Sequence, residues 1–81
     1  MIDTKTFRYN TNNKTVEVTV EKYNKGWKGK TLTCSEHGSE ILSSKYYNSN
    51  PESLANSIAQ AHTSFNPACG INLTSRQEIN N

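Results

Sequence analysis

Two cysteines and two histidines are the residues of this 81-residue chain best suited to nucleophilic or metal chemistry. Cys34 and Cys69 are 35 positions apart, which is neither a metal-knuckle spacing nor a redox pair, so neither reads as a zinc ligand, and no metal or cofactor is expected. A disulfide between them would contribute about 3–4 kcal/mol in the chain-entropy model. With no secretion signal, the expectation is free, half-buried thiols. His37 falls in a turn and His62 on a helix surface, and nothing in the spacing brings either to the other or to a cysteine. A Cys-His nucleophile needs both groups in one cleft with a third to orient them. The seven carboxylates are scattered, and Glu17 and Glu21 fall on the exposed face of a strand, so paired-acid catalysis has no basis. Gly26, Gly29, Gly38 and Gly70 read as turn residues and form no phosphate-cradling loop. The chain is therefore expected not to be an enzyme.

Binding is the remaining class, and the charge distribution points to where it would occur. Residues 1–33 carry seven basic and three acidic side chains, residues 34–81 two basic and four acidic. Lys22, Lys25, Lys28 and Lys30 gather around one turn with Tyr23 and Trp27, so lysines could neutralise phosphates while bases stack on the rings. The alternative is that Trp27 packs over the end of a small core and the lysines keep the hairpin soluble. Tyr46 and Tyr47 are adjacent, so on a strand one faces inward and Tyr47 is presented as a contact for a protein partner. Thr15, Thr19, Thr31, Thr33 and Ser43 would form a polar sheet face open to solvent or to a partner.

These residues must be positioned by a thin core. Only 32% of the chain is apolar, and its polarity comes from Asn, Ser and Thr with a net charge of +2. No apolar run reaches transmembrane length and no signal sequence is apparent, so the expectation is a soluble cytoplasmic chain without membrane contact. Residues 4–9 read as a strand turned by the Asn-rich stretch 10–14. From Thr15 the alternation is strict, with Val16, Val18 and Val20 on one face and Thr15, Glu17, Thr19 and Glu21 on the other. Strands follow at 27–36 and 40–47. Asn50-Pro51-Glu52 then starts a helix over 51–65, through a capping side chain, a proline in the first turn and an acid at the positive end of the dipole. Leu54, Ile58, Ala61 and Phe65 form its apolar stripe. Ile71–Thr74 could be a short last strand, and 75–81 a frayed tail. The expected fold is α+β, a single domain (1–81, folded over 4–74) with an antiparallel sheet of three to four strands packed on one helix.

The segment Thr15–Phe65 resembles by layout the double-stranded-RNA-binding arrangement without its first helix; Pro51-Glu52 stands where that family carries a basic pair, which argues against RNA binding of that type. Around Gly26-Trp27 and Pro51-Glu52 it also resembles ββα antitoxins. The same fifty residues are similar to small phage-encoded anti-CRISPR proteins, compact and cofactor-free. That resemblance implies a stoichiometric inhibitor that binds a protein or protein–RNA complex of a bacterial host and sterically blocks access to target DNA. Lys22, Tyr23, Lys25, Trp27, Lys28, Lys30 and Tyr47 would be its contact residues. The alternative expectation is a small nucleic-acid-binding module using the patch 22–30. A homodimer through an exposed edge at Thr4–Tyr9 or Ile71–Thr74 is a further expectation.

Overall fold

The structure, a computed structural model, describes residues 3–11, 13–42 and 45–79. The valine alternation forms its centre. Strand β2 (Thr15–Tyr23) lies between β1 (Thr4–Asn10) and β3 (Gly26–Cys34), pairing antiparallel with both. Since successive side chains point to opposite faces, Val16, Val18 and Val20 line up with Phe7 and Tyr9 of β1 and Leu32 and Cys34 of β3, all 0–1% exposed. Short strands complete the sheet: β4 (Gly38–Ile41) and β5 (Tyr47–Asn48) both pair with β3, and β6 (Gln77–Ile79) pairs with β1. Among the described residues the sheet is antiparallel and six-stranded, larger than the three to four strands expected, with order β4-β3-β2-β1-β6 and β5 beside β3. The fold is α+β.

Helix α1 (Pro51–Phe65) covers the valine face. Its start is as the residues dictate: Asn50 Oδ1 accepts from the Ser53 N–H at 3.0 Å, and Pro51 occupies the first turn. The buried face differs from the expected stripe. Leu54, Ala55, Ile58, Ala59 and His62 are buried, whereas Ala61 is half-buried and Phe65 is 85% exposed. At 100° per residue this turns the helix by roughly 60° from the Leu54/Ile58/Ala61/Phe65 axis. The small Ala55 and Ala59 let the helix lie close to the sheet, and rotation brings His62 inward. Gly29 completes the fit from the other side, since a Cβ there would stand 2.9 Å from Ile58 Cδ1 and 3.1 Å from a Leu42 methyl.

Other expectations are also corrected. The expected strand at 40–47 is two short strands rather than one, and Ser43 lies outside the described residues. Strand β1 has β2 on one side and β6 on the other over Thr6–Arg8, so the middle of the expected Thr4–Tyr9 edge is covered. Ile71–Thr74 makes one bridge, Ile71 to Thr11, and runs into a 3₁₀ turn at Leu73–Ser75. The expected fray from residue 75 gives way to order: the Asn10 N–H donates to Ser75 Oγ at 2.9 Å, and β6 adds Glu78 to Lys5 at 3.6 Å. Among the described residues no helix is long and apolar enough to cross a membrane.

One core side chain carries a pH signature. Tyr9 donates its hydroxyl to Asn56 Oδ1 at 2.5 Å, tying β1 to α1, and burial pushes its pKa up to about 12 against the charge of Arg76. An unfolded tyrosine ionises near 10, so between about pH 10 and 12 the unfolded chain holds fewer protons and stability falls as pH rises. Tyr9→Phe should lose about 1 kcal/mol at pH 8 with the hydrogen bond. Its deficit relative to wild type should then shrink in thermal melts as pH rises through 10 toward 12; parallel melting curves would contradict this.

Candidate metal centre

Strand β3 ends on Cys34, which shares the core face with Leu32 and sits opposite Val16 on one side and Gly38 on the other. The chain then turns through Ser35–His37, and Gly38, at φ +82°, takes the left-handed backbone that starts β4. This turn carries the exposed His37 back over the end of β3, with Nδ1 3.4 Å from Cys34 Sγ. From the other layer, the rotated α1 presents His62. After the helix stops at Asn66-Pro67, a 3₁₀ turn (Pro67–Cys69) folds Cys69 under it. The Cys69 N–H donates to Asn66 O at 2.8 Å, and Thr63 Oγ1 donates to the Cys69 carbonyl at 3.2 Å.

Four donors converge as a result. Cys69 Sγ lies 3.9 Å from Cys34 Sγ and 3.4 Å from His37 Nδ1, and the ligand atoms of Cys34, His37, His62 and Cys69 all lie within 4.8 Å of one another. The two imidazoles meet edge to face, with centroids 5.5 Å apart. Both cysteines are free and fully buried, at 1% and 0% exposure, deeper than the half-buried thiols expected.

The arrangement can be tested against zinc. With Zn–S bonds of about 2.3 Å and Zn–N bonds of about 2.0–2.1 Å, a regular tetrahedron has edges of ~3.8 Å between sulfurs and ~3.5 Å between sulfur and nitrogen. The 3.9 Å and 3.4 Å separations match those edges. A disulfide needs about 2.05 Å, so a cation between the sulfurs fits better than a bond. His62 Nε2 supplies a second sign: it is buried without a hydrogen-bond partner, a condition that costs about 1–3 kcal/mol unless something takes the lone pair.

Electrostatics prepare the sulfurs. Burial pushes the Cys34 thiol up, but the backbone at Glu36 and His37 and the imidazoles of His37 and His62 outweigh it and bring it down to about 6. Cys69 is raised by burial and then by Cys34 beside it, so the two sulfurs do not give up their protons independently. Lys14, ion-paired with Glu36 in the same turn, adds positive charge near both sulfurs.

The sequence reading kept these four residues apart, and that expectation is corrected. The interval of 35 between the cysteines carried no information because the four donors come as two local pairs, Cys34-x2-His37 and His62-x6-Cys69. Each is a short local pair, and that was the available signal. His62 is buried, contrary to the expected surface histidine, because the helix is rotated.

The expected partner-binding residues lie at the far end of the β2–β3 hairpin. The pairing puts Tyr23, Lys28 and Tyr47 on the sheet face away from α1, and Lys22 and Trp27 on the helix side. Trp27 is half-buried against the core, with Lys5 Nζ 5.8 Å from its ring centroid. Tyr23 and Tyr47 pack together at 5.5 Å. Lys25 is in the turn, and Lys30 is exposed at the bulge where the β2–β3 register shifts.

No family model, curated protein or solved structure matches the chain. The likeness to anti-CRISPR proteins therefore rests on size and layout alone.

Cobalt(II) added to the metal-free chain should give the intense visible bands of a tetrahedral site together with thiolate charge-transfer absorption. Cys34→Ser and Cys69→Ser should each remove about half of that charge-transfer intensity. His62→Ala should keep it but weaken binding beyond the roughly 10–100-fold seen on losing an outer-shell partner. Weak octahedral spectra would show that the four donors do not act together.

Proposed function

We propose that this chain is a small, non-catalytic zinc domain in which the metal is a structural cross-link, leaving the surface free for binding. The observation that carries this reading is the number and type of donors, two thiolates and two imidazoles within 4.8 Å of one another, with Cys34, Cys69 and His37 at tetrahedral edge lengths. Four protein ligands fill a tetrahedral zinc, whereas catalytic zinc keeps one position for water or substrate. Their positions in the fold support the same reading. Cys34 and His37 belong to the β3–β4 turn, His62 to the last turns of α1, and Cys69 to the segment beyond it, so one ion would tie three separate pieces of chain together.

The need for such a tie follows from size. A domain of this length buries a modest share of its surface, and small scaffolds commonly depend on a metal or disulfides. Twelve apolar residues are buried among the described residues. Metal binding to a site that exists only in the folded state contributes directly to folding free energy.

Protein purified under reducing conditions should carry one zinc per chain by elemental analysis. Stripping the metal with a strong chelator should lower stability by at least about 2.7 kcal/mol, the linkage energy of a ligand at a hundredfold over its Kd. For a domain of this size that is about 10–20 °C in Tm, restored by adding zinc back. A chain that takes up no zinc on refolding, or melts identically with and without chelator, would overturn the reading.

A further inference from the structure

We propose that the tip of the β2–β3 hairpin binds single-stranded nucleic acid, with Lys22, Lys25, Lys28 and Lys30 meeting phosphates and Tyr47, backed by Tyr23, stacking on a base. The site is separate from the metal centre. Gly26 and Cys34 are the two ends of β3, and at about 3.3 Å per residue they stand roughly 26 Å apart. The inference does not rest on zinc.

Charge is the first observation. The described residues form ion pairs between Lys5 and Glu78, Arg8 and Glu17, and Lys14 and Glu36, all away from the tip. Lys22, Lys25, Lys28 and Lys30 have no carboxylate within ion-pair distance among the described residues. Glu21, directly across from Lys28 in the ladder, is the one acid in the segment 21–30, and Asp3, whose carbonyl accepts from the Lys22 N–H at 2.8 Å, adjoins it just before β1. The tip is thus rich in positive charge, with half-exposed Lys28 on the Tyr47 face, Lys22 on the opposite face and Lys25 in the turn between them, on a chain of net charge only +2. Such a cluster gains affinity for phosphates by releasing their counterions.

The aromatic pair is the second observation. Tyr47 is 52% exposed, and its ring is held 5.5 Å from that of Tyr23 on the sheet face that α1 leaves uncovered. Lys28 is the cross-strand neighbour of Tyr47, so a base on the ring would have a cation beside its phosphate. A single strand suits this footprint because its bases are free to stack.

The same facts count against an acidic protein as the partner. Trp27, the side chain best able to anchor a protein interface, is packed on the core beneath Lys5. No arginine lies in the patch to make bidentate contacts with carboxylates.

The test uses the full chain as purified and fluorescently labelled oligothymidylate and oligouridylate, with anisotropy read across a salt series. Four contacts at about 0.7 each predict a log–log slope near −2.8, or a loss of about fiftyfold between 50 and 200 mM salt. Lys25→Ala should reduce the slope by about 0.7. Tyr47→Ala should weaken binding about fivefold or more at unchanged slope. Melting temperatures of both variants should match wild type, as the positions are exposed. Absence of binding at 50 mM salt, affinity unchanged in Tyr47→Ala and in a variant with all four lysines replaced by alanine, or equal competition by polyglutamate would each overturn the proposal. The last of these would reassign the tip to an acidic protein.

Discussion

Burial of the valine face of β2 is the constraint from which the other placements follow. Val16, Val18 and Val20 lie in the middle of the sheet, and their period of two sets which side of each neighbouring strand faces α1. A slip of β2 by one residue would turn all three to the open face, away from Leu32 and Cys34. The register that hides the valines is therefore the register that points Cys34 at the end of the helix. It also places Tyr9 where its hydroxyl reaches Asn56.

The helix answers that face with small residues. Ala55 and Ala59, together with the missing side chain at Gly29, permit close approach, and close approach in this rotation carries His62 into the protein. An unpartnered buried imidazole nitrogen in so small a domain calls for a compensating group. The two sulfurs and His37 are within reach to share a cation with it. In this view the centre completes the core at the end where apolar residues run out, beside a cavity of about 360 Å³ between Leu32, Ile58 and the exposed Phe65.

The molecule is consequently polarised along β3. One end gathers the sulfur and imidazole donors at turns and a helix terminus, and the other carries lysines on the β2–β3 hairpin and a tyrosine pair shared between β2 and β5. The length of β3, from Gly26 to Cys34, separates the two. The sheet face away from α1 remains largely polar, with Thr6 bonded to Thr19 and Arg8 to Glu17 across β1 and β2.

Local chemistry was legible in the residues themselves. The alternation of β2, the Asn50-Pro51-Glu52 helix start and the α+β class follow from periodicity and capping, which act within a few residues and need no distant partner. The short strands β4, β5 and β6 were not legible as they stand, because pieces of two to four residues are held by their neighbours rather than by propensity. Helix rotation was misread for a related reason: Phe65 is the larger apolar residue, but Ala55 and Ala59 fit the available space. The four-donor cluster depended on that rotation and on the turn at Cys69, so only the tertiary structure could assemble it. Sequence determined the donor types and the two short pairs, Cys34 with His37 and His62 with Cys69. That the pairs meet was decided by packing, since sheet register and helix rotation are set by burial summed over the whole core.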